Sequence, residues 1–177
     1  MNYHRWALGL ASILAVVVAR GGEPADRHEV ELAKMIVTVR EKFPAVKQLS
    51  TTNLAAWLAD PSRPQPQLLD VRTPKEFAVS HLPGARLVSP DAKATDVLAT
   101  LDRQRPVVVY CSVGYRSSKL AERLQAAGLT QIMNLEGSIF AWANEDRPLE
   151  RDGRPATQVH PYDKRYGQML KPDRRAP

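Results

Sequence analysis

The chain has a single cysteine, Cys111, in the stretch Val-Val-Val-Tyr-Cys-Ser-Val-Gly-Tyr-Arg-Ser-Ser at residues 107–118. A thiol does chemistry as its thiolate, the form that attacks electrophiles. Three neighbours bear on whether that form is favoured. The apolar run before Cys111 is built like a buried strand. Gly114 lets the next residues curl where a side chain could not fit. Arg116 adds a permanent positive charge. A helix expected over 117–127 begins just beyond, so the thiol would lie between a strand's carboxyl end and a helix N-terminus. There it faces unpaired N–H groups and about half a positive charge, in a loop of the kind that forms an anion-binding nest. A free cysteine titrates at about 8.5, and such surroundings bring it to roughly 3.5–7.5. The local sequence therefore predicts that Cys111 is anionic, exposed and ready to attack. The competing reading, an inert core cysteine behind a strand, is weakened by Gly114 and Arg116.

The flanking pattern supplies the scaffold. Residues 26–43 have helical periodicity, with Leu32, Met35, Ile36, Val39 and Phe43 on one face, Asp26 and Glu29 spaced as a capping box, and Pro44 as the stop. This helix packs on the domain or, in the sharper reading, meets a partner. Beyond it, strand candidates at 46–49, 68–71, 86–89, 106–110 and 132–135 alternate with helical segments. Those segments are 51–58, 73–79, 95–101, 117–127 (ended by Gly128) and 138–144 (capped by Ser138). Strands separated by helices imply an α/β fold with a parallel sheet covered on both faces. In such sheets ligands bind beyond the carboxyl ends of the strands, where Cys111 lies. Trp57 and Trp142 are expected in the core. The tail after Pro148 would wrap the domain through Tyr162, Tyr166, Met169 and Leu170, or stay mobile.

Composition bounds the rest. At 177 residues, 44% hydrophobic and 25% charged, the chain suits one globular domain with extensions. One cysteine excludes an internal disulfide, and the scattered His4, His28, His81 and His160 have no ligand spacing. No metal or cofactor is called for. The net charge of +6 concentrates in the tail, with eight Lys/Arg against four Asp/Glu from Arg147 to Pro177. With little aromatic interleaving, that is a solvated surface and not a nucleic-acid site. Trp6 to Ala19 is an uncharged run behind a short basic start, with Val17 and Ala19 small enough for signal cleavage. Residues 1–19 are thus expected to be a secretory signal peptide, the run being short for a membrane span; an uncleaved anchor is the alternative. Either implies export, periplasmic in a bacterial setting.

Three blocks carry a family resemblance. Cys-Ser-Val-Gly-Tyr-Arg-Ser (111–117) resembles the Cys-x-x-Gly-x-Arg-Ser loop of the rhodanese family. Leu-Leu-Asp-Val-Arg…Glu-Phe…His-Leu-Pro-Gly-Ala (68–85) is similar to its Asp-Val-Arg block. Asn-Leu-Glu-Gly-Ser…Trp…Pro-Leu (134–149) is similar to its closing segment. The resemblance covers a rhodanese-like domain at 46–149, which leaves the leader, a linker with the N-terminal helix (20–45) and a basic extension (150–177) outside it. It implies sulfane-sulfur transfer from a donor such as thiosulfate, through a persulfide on Cys111, to cyanide or a thiol. By motif position the N–H groups of Ser112, Val113, Gly114, Tyr115 and Arg116 would cradle the outer sulfur, and Arg116 would hold the loop or the anionic donor. Asp70 and Arg72 would brace the site, while Glu76 and His81 look more structural than chemical. Tyr115 would shape the entrance. Ser80 and Ser138 stand where the family has glycine, with little effect expected from two small residues.

Three other readings are weaker. Cysteine phosphatases and arsenate reductases need Cys-x5-Arg to surround their oxyanion, and this loop is one residue short. A non-catalytic rhodanese-like binding module has no need of an intact cysteine loop. A thiol redox protein would need a resolving cysteine.

Overall fold

The computed structural model describes residues 26–177. The expected leader at 1–19 and the link at 21–25 lie outside the described residues. Among those described, no helix is long and apolar enough to cross a membrane.

Helix α1 (Arg27–Lys42) leads into β1 (Gln48–Leu49), α2 (Thr51–Leu58), β2 (Gln67–Asp70), α3 (Pro74–Val79), β3 (Arg86–Leu87), α4 (Ala94–Leu98), β4 (Val107–Tyr110), α5 (Tyr115–Ala126), β5 (Ile132–Leu135) and α6 (Ser138–Asn144). The five strands form one all-parallel sheet in the order β1-β5-β4-β2-β3. This is the expected α/β architecture, with β4 at its centre. Valines suit that position because their branched side chains fit a pleated surface packed on both sides. Side chains alternate across β4. Val108 and Tyr110 enter the core beneath α2 and α6, while Val107, Val109 and Cys111 enter the core beneath α4 and α5. The alternation aims the thiol toward α5.

Several ends differ from the expected ones. Asp26 makes no side-chain cap and no capping box forms; the Glu29 amide bonds the Asp26 carbonyl instead. The true capping box is at α3, between Thr73 and Glu76. Helix α5 begins two residues early, at Tyr115, because Gly114 adopts a left-handed conformation and turns the chain directly into the helix. Gly128, also left-handed, ends that helix as expected. Gly137, not Ser138, is the cap of α6.

Beyond α6 lies a hairpin that the strand pattern does not predict. Strands β6 (Leu149–Arg151) and β7 (Arg154–Ala156) pair antiparallel around Asp152 and Gly153, both at positive φ. Asp-Gly is a favoured two-residue hairpin turn. The tail after it wraps the domain. Val159, Met169 and Leu170 are buried, and Asn144 bonds the Met169 carbonyl and the Lys171 amide. Helix α1 also packs against the domain, with Leu32, Val39 and Phe43 buried as its periodicity predicts.

Candidate active site

Cys111 follows β4 directly, and its sulfur lies within the first turn of α5. The Gly114 amide donates to Sγ at 3.2 Å. Gly114 can do so because it stands at φ +107°, and a Cβ there would meet the Asn134 side chain at 3.2 Å. The other side of the loop is fixed by α6. The Ile139 and Phe140 amides bond the carbonyls of Cys111 and Ser112. The Ser138 hydroxyl accepts from the Cys111 amide at 3.2 Å and donates to the Leu135 carbonyl.

Burial alone would push the Cys111 thiol up, because a charge in an apolar setting is costly. It is outweighed by the Arg116 charge and by hydrogen bonds from Ser117 and the Gly114 amide. The net shift is downward, toward the thiolate. Ser117 is itself positioned by its bond to Asn134 Oδ1 at 2.6 Å. Of the amides at 112–116 expected to cradle the sulfur, that of Gly114 bonds Sγ here.

One expectation is corrected. Cys111 is 1% exposed and not a surface thiol. It lies at the base of a cavity of about 150 Å³, lined by Cys111 to Val113, Tyr115 and Arg116 from the loop, and by Tyr162 and Tyr166 from the tail. The reason is coverage: both extensions reach the loop. Phe43, just after α1, packs edge-to-face on Tyr115, and Tyr162 and Tyr166 of the tail line the cavity.

Arg116 is already engaged. Its guanidinium makes a two-pronged pair with Glu76 at 2.7 and 2.9 Å and reaches the Ser112 hydroxyl at 3.0 Å. Ser112 in turn donates to Glu76 at 2.9 Å. Of the two roles expected for Arg116, holding the loop is the one this geometry supports. Burial would raise the Glu76 carboxyl, but Arg116 and Thr73 bring it down to about 2. Glu76 is thus a site residue that sequence reasoning undervalued, since its partners lie 36 and 40 residues away.

Asp70 and Arg72 sit at the end of the adjacent strand as expected, both fully buried. They pair at 2.7 Å, and Arg72 also bonds the Ser80 carbonyl at 2.6 Å. They brace the segment that carries Glu76, without touching the cysteine loop. His81 stacks on Phe77 and bonds its carbonyl, a structural role as read. Trp57 and Trp142 are buried in the core. The two serines do more than their size suggests. Ser138 holds the Cys111 amide, and Ser80 bonds the Gln158 carbonyl at 2.7 Å, pinning the tail.

Comparison with known proteins places the chain in a family. The profile of the Rhodanese-like domain family matches residues 54–145. A protein named Sulfurtransferase from Allochromatium vinosum is 33% identical over 104 residues, 59% of this chain and 94% of that protein. Thiosulfate sulfurtransferase GlpE from Pseudomonas aeruginosa is 33% identical over 76 residues, 43% of this chain and 68% of that protein. A probable adenylyltransferase/sulfurtransferase of Mycobacterium tuberculosis is 35% identical over 82 residues, 46% of this chain, and the match spans only 21% of that protein's length. The crystal structure of a rhodanese-like domain protein from Staphylococcus aureus superposes with a TM-score of 0.53 at 33% identity, over 61% of this chain and all of that one.

Proposed function

This chain belongs to the rhodanese-like domain family, and from that premise we propose that it is a sulfurtransferase working through a persulfide on Cys111. The observation that carries the reading is a buried thiol drawn toward its thiolate, with the Gly114 amide aimed at its sulfur at the base of a small cavity.

The thiolate attacks the outer sulfur of a donor such as thiosulfate. A new S–S bond forms, the donor's own S–S bond breaks, and sulfite leaves with the electron pair. The terminal sulfur of the resulting persulfide anion takes over the stabilisation given to the thiolate by the helix N-terminus and the loop amides. An acceptor then attacks that sulfur. With cyanide the products are thiocyanate and the regenerated thiolate. With a thiolate acceptor they are the acceptor's persulfide and Cys111. Neither step needs an added oxidant or cofactor.

Release of one equivalent of sulfite per enzyme from thiosulfate alone, and continuous release of sulfite and thiocyanate when cyanide is present, test the reading. Both should depend on enzyme concentration and vanish in Cys111→Ser. A phosphatase reading is disfavoured by the engagement of Arg116 with Glu76, which leaves its guanidinium committed to a carboxylate. The leader read at residues 1–19 places this chemistry outside the cytoplasm in our proposal. The mature protein should then begin at or near Arg20, which N-terminal sequencing of the expressed full chain would check.

A further inference from the structure

The tail that reaches the active site lies outside the matched domain, yet it supplies part of the cavity wall. It is firmly tied on both sides of that contact. Before it, the Gln158 carbonyl is held by Ser80 and Val159 is buried. After it, Met169 and Leu170 are buried, and Arg27 of α1 bonds Gln168. Between these anchors the chain presents two tyrosines. The Tyr162 amide donates to His160 Nδ1 at 3.0 Å, and the Tyr166 amide to Asp163 Oδ1 at 2.8 Å. Tyr162 stands at φ +66°, a strained conformation for a bulky side chain. Strain of that kind persists where the surroundings hold it and is concentrated near functional sites. Its ring lies 5.0 Å from the Arg116 guanidinium and packs edge-to-face on Tyr166 at 5.2 Å. These contacts hold a 48% exposed aromatic side chain at the cavity rim.

The space above the thiol is small. A cavity of about 150 Å³ has the volume of about five liquid waters and matches one known to hold benzene. Pockets for drug-sized ligands run to roughly 300–1,000 Å³. A donor of about five heavy atoms, such as thiosulfate, has a volume that fits between the rim and Cys111 Sγ. An aryl thiosulfonate or a large thiol would have to pass or rest against the Tyr162 and Tyr166 rings that line the wall.

We propose that Tyr162 and Tyr166 are specificity-determining residues that form, with Tyr115, an aromatic gate admitting small sulfur species to Cys111 and excluding bulky ones. The identity of the admitted species as sulfur donors and acceptors rests on the sulfurtransferase reading. The gate itself does not.

Because Cys111 is the chain's only cysteine, access can be measured without sulfur transfer. The test compares alkylation of the full chain by iodoacetamide and by its fluorescein conjugate, each normalised to the unfolded protein. The native protein should discriminate against the conjugate. Tyr162→Ala should raise the conjugate-to-iodoacetamide ratio by about tenfold, the effect of lowering a barrier by about 1.4 kcal/mol. Tyr162→Phe, which keeps the ring, should leave the ratio near native. Tyr162 is half exposed, so its truncation leaves the buried anchors intact, and Tyr166→Ala gives a second test of the same wall. Equal ratios in the native protein, Tyr162→Ala and the double variant would overturn the gate. So would equal sulfur loading of the native protein from thiosulfate and from toluenethiosulfonate. Size-selective alkylation without loading from thiosulfate would support the gate and contradict the sulfurtransferase reading.

Discussion

Two arginine–carboxylate pairs involve the segment after β2, and they do different work. Arg72 and Asp70 are both fully buried, two residues apart on one segment, and Arg72 also donates to the Ser80 carbonyl. Arg116 and Glu76 come from segments 40 residues apart, and Arg116 lines the cavity over the thiol. The chemistry of the pairs is the same. Their position differs: the first fixes where the chain runs, and the second fixes both the cysteine loop and the field at Sγ. A buried pair gives little net stability over an apolar replacement, yet losing one partner strands a charge. The account therefore separates a stability pair from a reactivity pair.

The largest expected effect breaks the first pair. Arg72→Leu leaves Asp70 buried without its cation and should destabilise the fold by about 3–5 kcal/mol, read as a lower urea midpoint. Any thiol that stays folded should titrate close to native. Arg116→Gln tests the other side. Hydrogen bonds to charged groups contribute roughly 1.5–3 kcal/mol, so sulfur loading should slow by about 10- to 100-fold. The pH at which Cys111 alkylation is half-maximal should rise, because the largest single influence opposing burial is gone. If Arg72→Leu raised that pH as much as Arg116→Gln, the division of labour would fail.

Acid sharpens the contrast. Folding holds the Glu76 carboxyl at about 2, well below its ordinary 4.5. A group whose pKa falls on folding stabilises the fold fully above its unfolded value and loses that contribution as it protonates. The native protein should thus lose stability as pH falls from about 4.5 toward 2. Glu76→Gln should flatten that part of the curve, as urea midpoints at several pH values would record. The smallest effect is expected at Ser138→Ala, which removes the acceptor for the Cys111 amide. It should cost about 1 kcal/mol and slow sulfur loading modestly, leaving the acid profile unchanged.

Much of this was legible because it is local. The order of strands and helices follows from periodicity, and β4's alternation gives the direction of Cys111. The Asp70–Arg72 pair is nearly adjacent in sequence. Gly114 and Arg116 state the electrostatics of the loop on their own. What was not legible depends on chain segments meeting. Glu76 meets Arg116 only because β2 and β4 are neighbours in the sheet. The burial of Cys111 needs α1 and the tail folded across its loop, and no spacing within 107–118 encodes that cover. Tyr162 and Tyr166 carry no motif, and their place at the rim comes from anchors at Ser80 and Asn144. Ser138 adopts φ +53°, so a residue read as a small glycine substitute also places a hydroxyl beneath Cys111. The hairpin is different: its Asp152-Gly153 pair is a local turn signal that the strand reading passed over.

The central claim is that Cys111 carries sulfur between two substrates. Its most direct test is the intact mass of the folded protein before thiosulfate, after thiosulfate and after cyanide, with Cys111→Ser in parallel. The account predicts that the native protein alone gains one sulfur atom and that cyanide removes it. A native protein that stays folded, alkylates readily at Cys111 and gains no sulfur from thiosulfate would contradict it.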